Sequence, residues 1–223
     1  MKKTSIQPKI FGILSLLLAG VCNSMIYGQS IIAPTEALAR LKEGNFRFVT
    51  GKSSRPRQDF SRLKEVAESQ HPFATIVGCS DSRVPNEIIF DQGLGDLFIV
   101  RTAGQVSTYA SWGSIEFAEE VLGTKLIVVL GHTKCGAVNA AVNLPEVPGH
   151  IITLINAIKP AVEKAKLKNP LALLDAAIRE NVMMQVEQLK GLEPVLAKRV
   201  CEGSIKIIGA LYDLHSCQIE FFE

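Results

Sequence analysis

Two short stretches hold side chains of the kinds that do chemistry together. Cys79-Ser80-Asp81-Ser82-Arg83 offers a thiol, a carboxylate and a guanidinium at alternate positions, and His132-Thr133-Lys134-Cys135 offers an imidazole and a second thiol. Two thiolates and an imidazole are soft ligands. Three of them make a catalytic zinc set, which leaves the fourth position to water or substrate. A closed structural site shows four Cys or His ligands in two short pairs, and no second pair is visible. Each residue alone has a plainer use: Cys79 and Cys135 as inert packed thiols, His132 as a loop histidine, Asp81–Arg83 as a surface ion pair of little worth. A Cys79–Cys135 redox pair lacks the Cys-x-x-Cys spacing and leaves His132 and Asp81 without a task. All five residues together favour a metal centre.

Each stretch follows a run of apolar β-formers, Phe73–Gly78 before the first and Leu126–Gly131 before the second, and each precedes turn and helix. The pattern predicts strands at Phe73–Gly78, Asp96–Arg101, Lys125–Leu130 and Lys206–Tyr212, with a last strand at Gln218–Phe222. Helices are predicted at Pro34–Glu43, at Phe60–Ser69, from Ser107 or Thr108 to Leu122, and at Gly136–Val142, with two or three more across Ile151–Cys201. Ser107 suits the N-cap of the third helix and Gly123 its stop. Nearly continuous apolar strands alternating with helices indicate an α/β fold. The expected architecture is a mainly parallel sheet of four strands in the order 2-1-3-4, a C-terminal edge strand, and helices on both faces. In such sheets ligands bind outside the carboxyl ends of the strands where the order reverses, between strands 1 and 3. Strand 1 ends at Cys79 and strand 3 ends at His132, so the two stretches are expected to meet there.

The chain has 223 residues, 47% apolar and 21% charged. That is ordinary for a globular protein and enough for one well-buried domain. Residues 1–28 read as a cleavable signal peptide: Lys2, Lys3 and Lys9 form a basic region, Ile10–Val21 an apolar one too short for a comfortable span, and Gly28 a small residue at the cut. An uncleaved anchor and a lipidated Cys22 are the alternatives. Cleavage removes three lysines and no acids, taking the formal net charge from +2 to −1. No basic face for nucleic acid is indicated. The mature chain, 29–223, reads as one catalytic domain with residues 29–70 as a helical arm, able to lie on its own sheet or on another subunit. No stable membrane span is expected once the signal is gone. Export allows disulfides, and Cys201 and Cys217 are either paired or buried separately.

Cys79-Ser80-Asp81-Ser82-Arg83-Val84-Pro85, Phe98-Ile99-Val100-Arg101 with Ala103-Gly104 after it, and Gly131-His132-Thr133-Lys134-Cys135-Gly136-Ala137 together resemble the β-class carbonic anhydrases. The resemblance runs from about Ala37 to the C-terminus and is weakest between Leu144 and Leu189. It implies an enzyme that interconverts carbon dioxide and bicarbonate, here in a bacterial form that the signal-like residues 1–28 mark as exported, periplasmic or secreted. It also implies one Zn²⁺ per subunit on Cys79, His132 and Cys135, a homodimer or homotetramer, and an active site at the subunit interface. The three-histidine carbonic anhydrases are the familiar case of a zinc-acidified water. Two thiolates leave the ion formally neutral, so other groups must help stabilise the hydroxide. Asp81 would accept a hydrogen bond from that hydroxide and Arg83 would hold Asp81 in place. Released from Arg83, Asp81 is a possible fourth ligand in a closed state. By similarity, Gln70 and the Gly136 amide would donate to substrate oxygens, and Phe98, Ala103 and Phe117 would form the apolar wall. Ala103 and Phe117 stand where relatives can have Val and Tyr, and Gln105 where Asn is frequent. Tyr109 and Trp112 read as core or subunit contact. His71, His150 and His215 remain for a proton shuttle, none singled out by position. Two other functions fit the same motifs: hydrolysis of carbon disulfide or carbonyl sulfide, and a non-catalytic zinc-binding assembly protein.

Overall fold

Five strands form one sheet in the order β2-β1-β3-β4-β5: β1 (Ala74–Cys79), β2 (Leu97–Thr102), β3 (Leu126–His132), β4 (Lys206–Tyr212) and β5 (Ile219–Phe222). The computed structural model describes residues 32–222. The signal segment, Cys22 and the predicted cut therefore lie outside the described residues. The first four strands run parallel, and β5 joins β4 antiparallel at the edge. This is the predicted 2-1-3-4 order with its edge strand, and the reversal falls between β1 and β3. The helices are α1 (Pro34–Val49), α2 (Phe60–Glu65), α3 (Asn86–Ile89), α4 (Tyr109–Glu120), α5 (Gly136–Asn143), α6 (Ile151–Lys168), α7 (Leu173–Lys190) and α8 (Leu196–Cys201). None of the described helices is long and apolar enough to cross a membrane.

Successive strand side chains point to opposite faces, and here both faces are covered. Ile76, Val128 and Ile208 pack with Ala37, Leu38 and Leu41 of α1 on one side. Val77, Ile127, Val129 and Ile207 pack with Ile115 of α4 and Val182 and Val186 of α7 on the other. Full burial of an aliphatic side chain is worth roughly 1.5–3 kcal/mol. Burial of Leu38 and Leu41 therefore helps to seat α1 on its own sheet. By contrast, α2 buries no residue, and its Phe60 is 83% exposed.

The strand ends run further than the sequence pattern alone suggests. β1 takes in Cys79, paired with Thr102, and β3 takes in Gly131 and His132, paired with Leu211 and Tyr212. Pairing with the neighbouring strand, not side-chain type, decides where extension stops. The helix expected from Ser107 or Thr108, with Ser107 as its cap, starts at Tyr109. Thr108 is its N-cap with no side-chain hydrogen bond, because Ser107 is drawn inward and its amide donates to the Gln185 carbonyl oxygen Oε1 at 3.0 Å. α7 approaches β3 and β4 closely because Gly131 and Gly209 lack side chains: a Cβ at either would lie 2.5 or 2.8 Å from a Val182 methyl. Cys201 and Cys217 are both free thiols. They sit beyond opposite ends of β4, whose seven residues span about 20 Å, so they cannot pair within one chain.

Candidate metal centre

The last residue of β1 is Cys79 and the last of β3 is His132; Cys135 follows at the N-cap of α5. Parallel neighbours in register place the first two side by side at the carboxyl edge, at the reversal of strand order. Lys134, with φ +56°, makes the turn that brings Cys135 back to them. The ligand atoms of Cys79, His132 and Cys135 lie within 4.8 Å of one another and all three residues are buried. One ion at bonds of about 2.0–2.3 Å can reach all three.

The imidazole is set up as a ligand. His132 Nδ1 lies 2.9 Å from the Thr133 carbonyl, which can only accept, so Nδ1 carries the proton and Nε2 keeps a lone pair. That Nε2 is buried and has no hydrogen-bond partner. A buried, unpartnered nitrogen is costly unless something binds it, and fixing the tautomer through the other ring nitrogen is how metal-bound histidines are held. The sulfur–nitrogen donor set fits Zn²⁺ with one position open.

Cys79 Sγ accepts the Gly104 N–H at 3.2 Å. Gly104 has φ +68°, and a Cβ there would meet Ile158 Cδ1 at 2.9 Å and Ala137 Cβ at 3.1 Å. Asn181 of α7 anchors this turn, its Nδ2 donating to the Gly104 carbonyl at 2.9 Å. The Cys135 thiol, then His132 and the Gly104 amide, pull the Cys79 thiol down against burial, and the same contact with Cys79 together with burial pushes Cys135 up. Burial lowers His132, but the neighbouring Cys79 thiolate and the Thr133 carbonyl outweigh it and raise it overall.

Asp81 stands beside the ligands with Oδ2 3.6 Å from His132 Nε2. Arg83 holds it by a fork, Nε to Oδ1 at 2.9 Å and Nη2 to Oδ2 at 2.8 Å, and its own amide donates to Oδ1 at 3.0 Å. The Arg83 fork is the main cause that keeps the Asp81 carboxyl well below the usual carboxylate range. Arg101, on β2, donates from Nε to the Cys79 carbonyl at 2.9 Å and from Nη2 to the Asp81 carbonyl at 2.7 Å.

Ala103 and Gly136 lie at this edge, one beside Gly104 and the other opening α5. Gln70, Phe98 and Phe117 are not brought to the ligands within one chain. Gln70 is exposed and precedes β1, whose six residues put its ends about 17 Å apart. Phe98 pairs with Thr75 near the amino end, and Phe117, on α4, is 45% exposed. Among the histidines, His215 Nε2 lies 3.1 Å from Lys134 Nζ, whereas His71 bonds Ser69 on the amino side of β1. The sequence motifs include Arg101 and Gly104 but assign them no role at the site, and Asn181 was missed altogether. The one local signal for Asn181 is its place, with Gln185, on the buried face of an otherwise apolar helix.

A model of the carbonic anhydrase family matches residues 74–219. Carbonic anhydrase 2 of Mycobacterium tuberculosis is 43% identical over 185 residues, covering 81% of this chain and 89% of that protein. The solved β-carbonic anhydrase CcaA superposes with a TM-score of 0.67 at 26% identity, covering 83% of this chain and 95% of that one. One of two tetrameric β-carbonic anhydrases of Sordaria macrospora superposes with a TM-score of 0.67 at 22% identity, covering 81% and 93%.

Proposed function

The chain belongs to the β-carbonic anhydrase family, and from that premise we propose that it hydrates carbon dioxide reversibly to bicarbonate and a proton with the site at Cys79, Asp81, Arg83, His132 and Cys135. The observation that carries this is the unpartnered Nε2 of buried His132, with two thiols within 4.8 Å and an ionised carboxylate 3.6 Å away. A zinc ion held by Cys79, His132 and Cys135 supplies Lewis acidity that makes a water nucleophilic at neutral pH. The protein does the rest.

Asp81, ionised through Arg83, accepts a hydrogen bond from the attacking water and aims its lone pair at the carbon. Arg83 keeps that carboxylate engaged and so leaves the fourth position free. Gly136 provides one of the amides that a helix leaves without an internal partner, available to a substrate oxygen as negative charge develops there. Ala103 and buried Val106 form an apolar wall against an apolar substrate. Gln70, Phe98 and Phe117 complete the pocket from a second subunit, and a homodimer or homotetramer is the assembly that allows it. Export to the periplasm or beyond rests on residues 1–28 alone, and a mature N-terminus at Gln29 is its check.

The test is stopped-flow hydration of carbon dioxide by zinc-loaded protein at pH 7–9. Catalysis above buffer, lost on chelation and regained with zinc, is the expected result. A stoichiometrically loaded protein that does no better than buffer would leave a non-catalytic zinc protein.

A further inference from the structure

We propose that Arg101 is a positioning residue that keeps the Asp81 carboxylate off the metal position by gripping the backbone of the loop that carries it. The inference rests on the Asp81–Arg83 reading above. Arg101 closes the Phe98–Arg101 stretch on the edge strand β2 and is exposed. Its guanidinium binds two main-chain carbonyls on either side of Ser80, those of Cys79 at 2.9 Å and Asp81 at 2.7 Å. The Ser80 amide donates to the Thr102 carbonyl at 3.0 Å, and the Val84 amide to the Asp81 carbonyl at 3.1 Å. The main chain from Cys79 to Asp81 is therefore tied to β2 at three consecutive residues, and Arg101 supplies two of the ties.

The two arginines act on different parts of the same residue. Arg83 holds the Asp81 side chain; Arg101 holds its backbone. The carboxylate stands 3.6 Å from the nitrogen that would bind the ion, so it has a short way to go to become a ligand itself. Turning it there breaks the Arg83 fork and also draws the main chain after it, and the second movement is what Arg101 resists. A planar guanidinium presents two donors in fixed geometry to two carbonyls. A lysine there has three donors on one freely turning ammonium and lacks that fixed fork.

The experiment uses full-length protein loaded with Co²⁺, whose visible absorption reports the number and kind of its ligands. Wild type, Arg101→Ala, Arg101→Lys, Asp81→Asn and the Arg101→Ala/Asp81→Asn pair are compared at one pH, with metal content and melting temperature. Arg101→Ala is expected to bind the wild-type amount of metal but to shift the spectrum. Adding Asp81→Asn to the same chain should abolish that shift. With zinc, Arg101→Ala should lose about tenfold in hydration rate, and Arg101→Lys should recover part of it. A wild-type spectrum in Arg101→Ala, or a shift that survives Asp81→Asn, overturns the proposal. If Arg101→Ala does not fold, Arg101→Lys carries the comparison, and absence of any shift in it overturns the proposal too. The underlying dyad fails separately, if Asp81→Asn alone hydrates carbon dioxide at the wild-type rate.

Discussion

A carboxylate 3.6 Å from a ligand nitrogen can serve a reaction or block it, and at Asp81 the difference lies in what Arg83 does. The fork satisfies both carboxylate oxygens and holds the group ionised, so it is an acceptor throughout the neutral range. Arg83 itself is largely exposed, and an exposed ion pair contributes little to folding. Its value is therefore in function, not stability. Asp81→Asn should keep its zinc and melting temperature yet lose about a hundredfold or more in kcat/KM, the scale of a lost acid–base partner. Cys135→Ala should lose the zinc itself. Metal analysis beside stopped-flow rates checks both, and wild-type kcat/KM in Asp81→Asn would remove Asp81 from the mechanism. The Cys79–His132–Cys135 cluster and the Asp81–Arg83 pair were legible in the sequence because their residue types are chemically specific and closely spaced. The partners of Asn181 and Arg101 were not. Their contacts join positions 77 and about 20 residues apart, and an asparagine or arginine carries no local sign of which carbonyl it will find.

The elements were legible where periodicity is strong and the ends were not, because strand ends answer to neighbours. β3 runs through His132 only because β4 is there to pair with Tyr212. The arm was undecidable from its sequence for a similar reason: an amphipathic helix does not say which surface it covers. In the structure one buried carboxylate helps to fix it. Asp91, 2% exposed, accepts Arg47 Nε of α1 at 2.6 Å, the Ser54 amide at 3.0 Å and the Arg55 amide at 2.9 Å. Burial alone would raise its pKa, but Arg47 and the two amides outweigh it and lower it. A carboxylate depressed in the folded state adds stability that is present above its unfolded value and lost as pH falls through the lower, folded one. Asp91→Asn should therefore cost about 3 kcal/mol at pH 7, the scale of a broken buried pair. The gap from wild type should narrow below about pH 4. Urea unfolding of both proteins at pH 7 and pH 3 measures it. An equal gap at both pH values would mean that the charge of Asp91 is not what ties the arm down.

At the scale of the whole molecule, the single chain brings together the Cys79–His132–Cys135 cluster that could hold a metal but not the residues expected to wall a pocket beside it. Gln70, Phe98 and Phe117 lie toward the amino end of the sheet or on its flank, away from their own chain's ligands. The side of the chain that bears β2 is also the unfinished one. β2 ends the sheet with its residues only half-buried, and Phe60, Leu63, Ile88 and Leu94 are all more than 40% exposed. An unpaired edge strand and exposed apolar side chains are features that proteins cover. A second copy related by a two-fold axis would cover both and bring each Gln70 toward the other chain's metal. Complementation decides whether it does. Gln70→Ala keeps its ligands but lacks the donor; Cys135→Ala lacks the metal but keeps Gln70. Each variant alone should be nearly inactive. In a hybrid dimer the intact metal of one chain faces the intact Gln70 of the other, so one of its two sites is whole. Random mixing makes half the dimers hybrid, and about a quarter of the wild-type sites should return on co-expression. If Gln70 served its own chain, no hybrid would contain a whole site and the mixture would be no more active than its parts.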